Sequence, residues 1–142
     1  MLNIVELREM SGDKLNEMLE NAREELFNLR FQKASARLEN YARLKHVKRE
    51  IAQLETVLHA RQVAKETAVS EPEIAQALTG KEWKATARFQ YEDSAWRVQF
   101  VDGDGSEIAV AMVNLNKKHP QGRKARQSKQ APRLVTSYQI AG

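Results

Sequence analysis

The sequence predicts two modules of different class: an N-terminal all-α antiparallel two-helix coiled-coil hairpin over residues 1–67, and a C-terminal small α+β module with an antiparallel sheet of three or four strands over residues 68–142. Three observations predict it. Two stripes of apolar residues, four and three apart in alternation, occupy the first half. Period-two alternation takes over after residue 82. A dense turn signal, Asp102-Gly103-Asp104-Gly105, separates two of the alternating runs.

The first element is a short leading helix over residues 2–10, whose Leu2, Val5 and Leu7 are available to cover the open end of the hairpin, with Gly12 separating it from the next. Ser11 is the expected N-cap of the first long helix, because its hydroxyl accepts from an early backbone N–H. Asp13, Glu17 and Glu20 then lie near the positive end of the helix dipole, and Arg30, Lys33 and Arg37 near the negative end. The stripe Leu15, Leu19, Ala22, Leu26, Leu29 has the a/d spacing of a helix packed along a partner helix.

The partner stripe is Leu44, Val47, Ile51, Leu54, Leu58, in a stretch without Gly or Pro from Tyr41 to Thr67. Only Ala36 to Ala42 lies between the two seams, with Asn40 the best turn former, so the helices must return antiparallel. Each helix buries one narrow stripe, and such a hairpin is marginal alone. That favours a component of an assembly. The stripe residues themselves are core and carry no chemistry.

Charge is distributed unevenly. From Arg30 to Arg49 there are seven Lys or Arg and one carboxylate, Glu39, whereas residues 1–29 hold three basic and seven acidic side chains. A second focus lies at residues 115–133, with seven basic groups and no acid, inside a chain that is otherwise mildly acidic despite its net +4. Two separate cationic foci are the footprint of a protein that meets a polyanion.

Several function classes are excluded or disfavoured. No run of about 18 apolar residues is present, and the first residues lack a secretory apolar region, so a soluble cytoplasmic protein is expected. The absence of cysteine excludes disulfides and thiolate chemistry. A calcium loop starting at Asp102 needs a Glu at its twelfth position, where Val113 stands. His46, His59 and His119 are not at ligand spacing. Without a phosphate-cradling glycine loop, a nucleophile elbow or a paired acid and base, the chain is read as no enzyme, with no cofactor, no metal and no small-molecule substrate.

Leu26-Phe27-Asn28-Leu29-Arg30-Phe31-Gln32, then Ala34, Leu38 and Asn40, then Arg43-Leu44-Lys45-His46-Val47-Lys48-Arg49-Glu50-Ile51-Ala52-Gln53-Leu54-Glu55-Thr56-Val57-Leu58 resembles the family of bacterial large-subunit ribosomal protein L twenty-nine over residues 1–67. Two runs in register are more specific than either alone. The resemblance implies a structural constituent of the large ribosomal subunit, a ribonucleoprotein component bound to 23S rRNA near the polypeptide exit tunnel. It also implies ribosomal protein L twenty-three as a neighbour and nascent-chain factors nearby. Carried over by position, the rRNA-facing residues are Arg30, Gln32, Lys33, Arg37, Asn40, Arg43, Lys45, Lys48 and Arg49. Phe31 is the candidate for packing where the helices meet. Cations at this density neutralise phosphates and position a protein on RNA shape rather than reading sequence. The competing reading is a free coiled-coil adaptor or chaperone-like arm.

Family members typically end where the second helix ends, so the resemblance is silent on residues 68–142. A short helix is expected at 71–79, with Ser70 as a cap, Pro72 in its first turn, Ile74, Ala77 and Leu78 on one face and Gly80 as the stop. Strands are expected at about 83–91, 95–101 and 107–113, followed by a basic loop at 115–133 and a strand at 134–140. Trp83, Ala85, Ala87, Phe89 and Tyr91 share a face in the first strand, Trp96, Val98 and Phe100 in the second, and Ile108, Val110 and Met112 in the third. Core packing is favoured over base stacking for the aromatic rings. Lys117, Lys118, Arg123, Lys124 and Arg126 in the basic loop are expected rRNA contacts.

Overall fold

The structure, a computed structural model, describes residues 3–116 and 134–141. Most of the basic segment, including Lys117, Lys118, Arg123, Lys124 and Arg126, lies outside the described residues. The chain divides into two compact units, Met1–His59 and Ala60–Gly142, with the division inside a helix.

The first unit begins with α1 (Ile4–Glu9), where Asn3 caps by accepting from the Val5 N–H at 3.0 Å. Next comes α2 (Gly12–Ala34), capped as expected by the Ser11 hydroxyl, which accepts from the Lys14 N–H at 3.2 Å. The third helix, α3 (Tyr41–Val69), returns along α2 in a hairpin-like arrangement. Leu7, Leu15, Leu19, Ala22 and Leu29 form a buried core with Leu38, Val47, Leu54 and Val57.

The seam of α3 differs from a strict heptad. Val47, Leu54 and Val57 are fully buried, while Leu44, Ile51 and Leu58 are half-buried. Beyond Leu54 the fully buried position is Val57 rather than Leu58, with Leu7 of α1 in the same core.

The second unit is built on the end of α3. Ala60, Ala64 and Ala68, four apart, present one face of small side chains to its core. The next element, α4 (Pro72–Leu78), contributes Ile74 and Leu78, with Pro72 in its first turn as the sequence suggests. Ser70 does not cap it: Glu71 holds the cap position without a side-chain bond, and the Ser70 hydroxyl donates to the Thr67 carbonyl at 2.6 Å, closing α3 instead.

Strands β1 (Trp83–Gln90), β2 (Ala95–Asp102), β3 (Glu107–Val113) and β4 (Val135–Ile140) form one antiparallel meander in sequence order. The fourth strand completes the sheet. Asp102 anchors the β2–β3 turn, one carboxylate oxygen accepting from the Asp104 and Ser106 N–H groups at 2.9 Å each.

One expected face is split. Ile108, Val110 and Met112 were expected to share a face of β3, but Ile108 is buried with Ala109, Ala111 and Val113, while Val110 and Met112 are half-buried. The register explains it: Phe100, Val98 and Trp96 pair with Ala109, Ala111 and Val113, and antiparallel partners share a face. A bulge beside Phe100 and Val101 leaves Ile108 buried as well, so the alternation read from sequence slips by one residue. Trp96, Val98 and Phe100 face inward as expected, with Phe89 edge-on to Trp96 at 5.3 Å and Trp83 edge-on to Phe100 at 5.6 Å.

Candidate nucleic-acid interface

The hairpin tip is shaped by the way α2 ends. Ser35 is its C-cap, and Ala36 follows in the left-handed region at φ +56°. The Ala36 N–H donates to the Lys33 carbonyl at 3.1 Å and the Arg37 N–H to the Gln32 carbonyl at 2.8 Å, a Schellman pair that reverses the chain. Leu38 then turns inward to the core. Asn40 starts α3 by accepting from the Ala42 N–H at 3.1 Å through its side-chain oxygen.

These turns enclose an open concavity of about 480 Å³, with Leu29 and Leu38 in its lining and Gln32, Arg37, Glu39, Asn40 and Arg43 supplying the polar groups. Four of the nine expected hairpin contacts are thereby brought together: Gln32, Arg37, Asn40 and Arg43. Arg30, Lys33, Lys45, Lys48 and Arg49 are exposed on the helices beside it. Lys45, Lys48 and Arg49 are three and four apart on α3 and so share one surface. Among the described residues, no ion pair engages Arg30, Lys33, Arg37, Lys45, Lys48 or Arg49.

Arg43 differs from the others. Its guanidinium donates to both carboxylate oxygens of Glu25, at 2.6 and 2.9 Å, and Glu50 lies at 4.0 Å. The Arg43 hydrogen bond holds the Glu25 carboxyl below its usual range against the opposing effect of burial, with the Arg43 charge adding to the lowering. Arg43 thus clamps α3 to α2, and much of its charge is already balanced. Asn40 likewise uses its carbonyl oxygen as a cap and keeps its amide N–H groups for an acceptor. Sequence spacing did not reveal the clamp, because Glu25 and Arg43 are 18 residues apart.

Phe31 does not pack where the helices meet. It is 66% exposed, beside Phe27 at 68%. Leu29 occupies the inward position, and a residue two further on lies about 200° round the helix. The four-residue spacing of Phe27 and Phe31, an apolar pair off the seam, was the available signal. Among the described residues there is no cluster of three His, Cys, Asp or Glu that would hold a metal ion, and no helix is long and apolar enough to cross a membrane.

Comparison with known proteins agrees with the hairpin and stops short of the sheet. The profile of the Ribosomal L29 protein family matches residues 5–61. The large ribosomal subunit protein uL29 of Streptomyces griseus is 48% identical over 65 residues, which is 46% of this chain and 88% of that protein. Those of Frankia alni and Mycobacterium avium are each 52% identical over 58 residues, 41% of this chain and 65% and 75% of theirs.

Proposed function

The chain belongs to the uL29 family of large ribosomal subunit proteins, and from that premise we propose that its hairpin seats on 23S rRNA near the polypeptide exit tunnel. The family is structural rather than enzymatic, and its place is the ribosome in the cytoplasm. The observation that carries the proposal is the concave tip with uncommitted cations around it. Arg30, Lys33, Arg37, Lys45, Lys48 and Arg49 are exposed, and Gln32 and Asn40 add neutral donors at the mouth. Arg43 serves by fixing the tip's shape. The antiparallel coiled-coil geometry is part of the same reading, supported by the Arg23–Glu55 and Arg43–Glu25 pairs that join α2 to α3.

In this reading residues 1–67 form the ribosomal-protein-like module and residues 68–142 an extension, whose cations Lys117, Lys118, Arg123, Lys124 and Arg126 add rRNA contacts. The exposed Phe27–Phe31 pair meets a neighbouring protein, ribosomal protein L twenty-three, near where nascent-chain factors dock. The test is binding of the intact chain to 23S rRNA across a salt series, beside the triple variant K45Q/K48Q/R49Q. Each lost phosphate contact removes about 0.7–0.9 from the slope of log affinity against log salt, so the variant should lose about 2–3. An unchanged slope removes these residues from the interface. Failure of the intact chain to bind at all refutes the reading.

A further inference from the structure

The open face of the sheet carries a feature that its core does not require. Antiparallel register places Arg88 of β1 directly opposite Arg97 of β2, and alternation puts both on the face away from Trp96, Val98 and Phe100. The buried side chains of α3 and α4 share the core with that other face. Like charges directly opposed across two strands destabilise a sheet. Arg97 has Glu107 at 4.0 Å, a distant and half-exposed partner of little strength. Among the described residues, no hydrogen bond or ion pair holds Arg88.

We propose that Arg88 and Arg97 form a two-guanidinium clamp for an RNA backbone phosphate, continued along β1 by Lys84. This rests on the ribosomal reading above and assigns the sheet a role in it. Paired strands lie about 4.8 Å apart, so two guanidinium groups on opposed residues converge on one phosphate, each with donors in the planar fork that matches its oxygens. The phosphate also removes the repulsion between them. Lys84, four residues along the same face, stands about 14 Å from Arg88 at 3.4 Å per residue. Thr86 and its register partner Gln99 lie between and offer neutral hydrogen bonds to sugar or phosphate oxygens.

Charge and composition select RNA over an acidic protein. Glu107 is the one carboxylate on the strands of this face, the register partner of Val101, while Glu92, Asp93 and Asp104 sit in the turns at the ends of the strands. The rings Phe89, Trp96 and Phe100 belong to the opposite face, so the open face lacks the buried aromatic anchors that dominate protein interfaces. It suits backbone contact, not base stacking.

The experiment compares the full chain with R88Q/R97Q and R88K/R97K, using 23S rRNA as the probe and reading affinity across a salt series. R88Q/R97Q should lower the salt slope by about 0.7–0.9, the loss of one phosphate contact, R88K/R97K should keep it, and the unfolding midpoint read by tryptophan emission should stay level or rise in R88Q/R97Q. An unchanged slope for R88Q/R97Q while K45Q/K48Q/R49Q still lowers it overturns the clamp and leaves the hairpin reading standing. Loss of binding by the wild-type chain itself overturns both. If R88Q/R97Q enters large subunits poorly but binds naked 23S rRNA with an unchanged slope, the face meets an acidic protein and the phosphate assignment is overturned.

Discussion

Replacing Leu54 by Ala tests the unequal burial along the α3 seam. Leu54 is 1% exposed, whereas Leu44, an equivalent member of the sequence stripe, is half-buried. The substitution removes three carbons, about 2.4 kcal/mol at 0.8 kcal/mol per buried methylene, and the enclosed cavity brings the total to about 3–4 kcal/mol. At Leu44 about half the transfer term applies and no closed cavity forms, so about 1 kcal/mol is expected. Against a total of about 3–9 kcal/mol for a unit near 60 residues, the first change removes a large share of the stability and the second a small one. Urea unfolding followed by circular dichroism at 222 nm measures both. Tryptophan emission is an internal reference, since Trp83 and Trp96 both belong to the second unit. Equal losses at the two positions, or a larger loss at Leu44, would refute the seam described here and restore the regular heptad.

Ala36→Gly should stabilise the hairpin by about 0.5–1 kcal/mol, because the left-handed φ of +56° costs a non-glycine residue about 1–2 kcal/mol and the added freedom of the unfolded chain returns part of it. In thermal denaturation that is a rise of about 2–8 °C. Glu25 has a folded pKa held below the ordinary 4.5, so its stabilising contribution is present above the unfolded value and lost as pH falls through the lowered one. The midpoint difference between wild type and E25Q should therefore be level from pH 7 to about pH 5 and shrink below it; a difference that persists at the acid end removes the clamp as its cause.

How much could be read without coordinates varies by element. Ser11 as a cap, the helix opened by Pro72 and the strands near residues 83, 95 and 107 were legible because each depends on local backbone chemistry. The inward face of β3 was not legible, since a bulge between two paired strands moves every following side chain to the other face. At the hairpin tip, the cations were countable in the sequence. That Arg43 is tied to Glu25 while Lys45, Lys48 and Arg49 are not depends on which residues the turn brings face to face.

The sequence by itself determined the two-module order, the hairpin and its family, and the position of both cationic foci, because periodicity, capping and charge runs act over a few neighbouring residues. The tertiary structure alone decided which stripe residues are fully enclosed, where Phe31 points, and that Arg88 stands opposite Arg97. Those outcomes come from pairing between distant segments. A register or a helix rotation is set by the whole contact surface, and no local pattern encodes it.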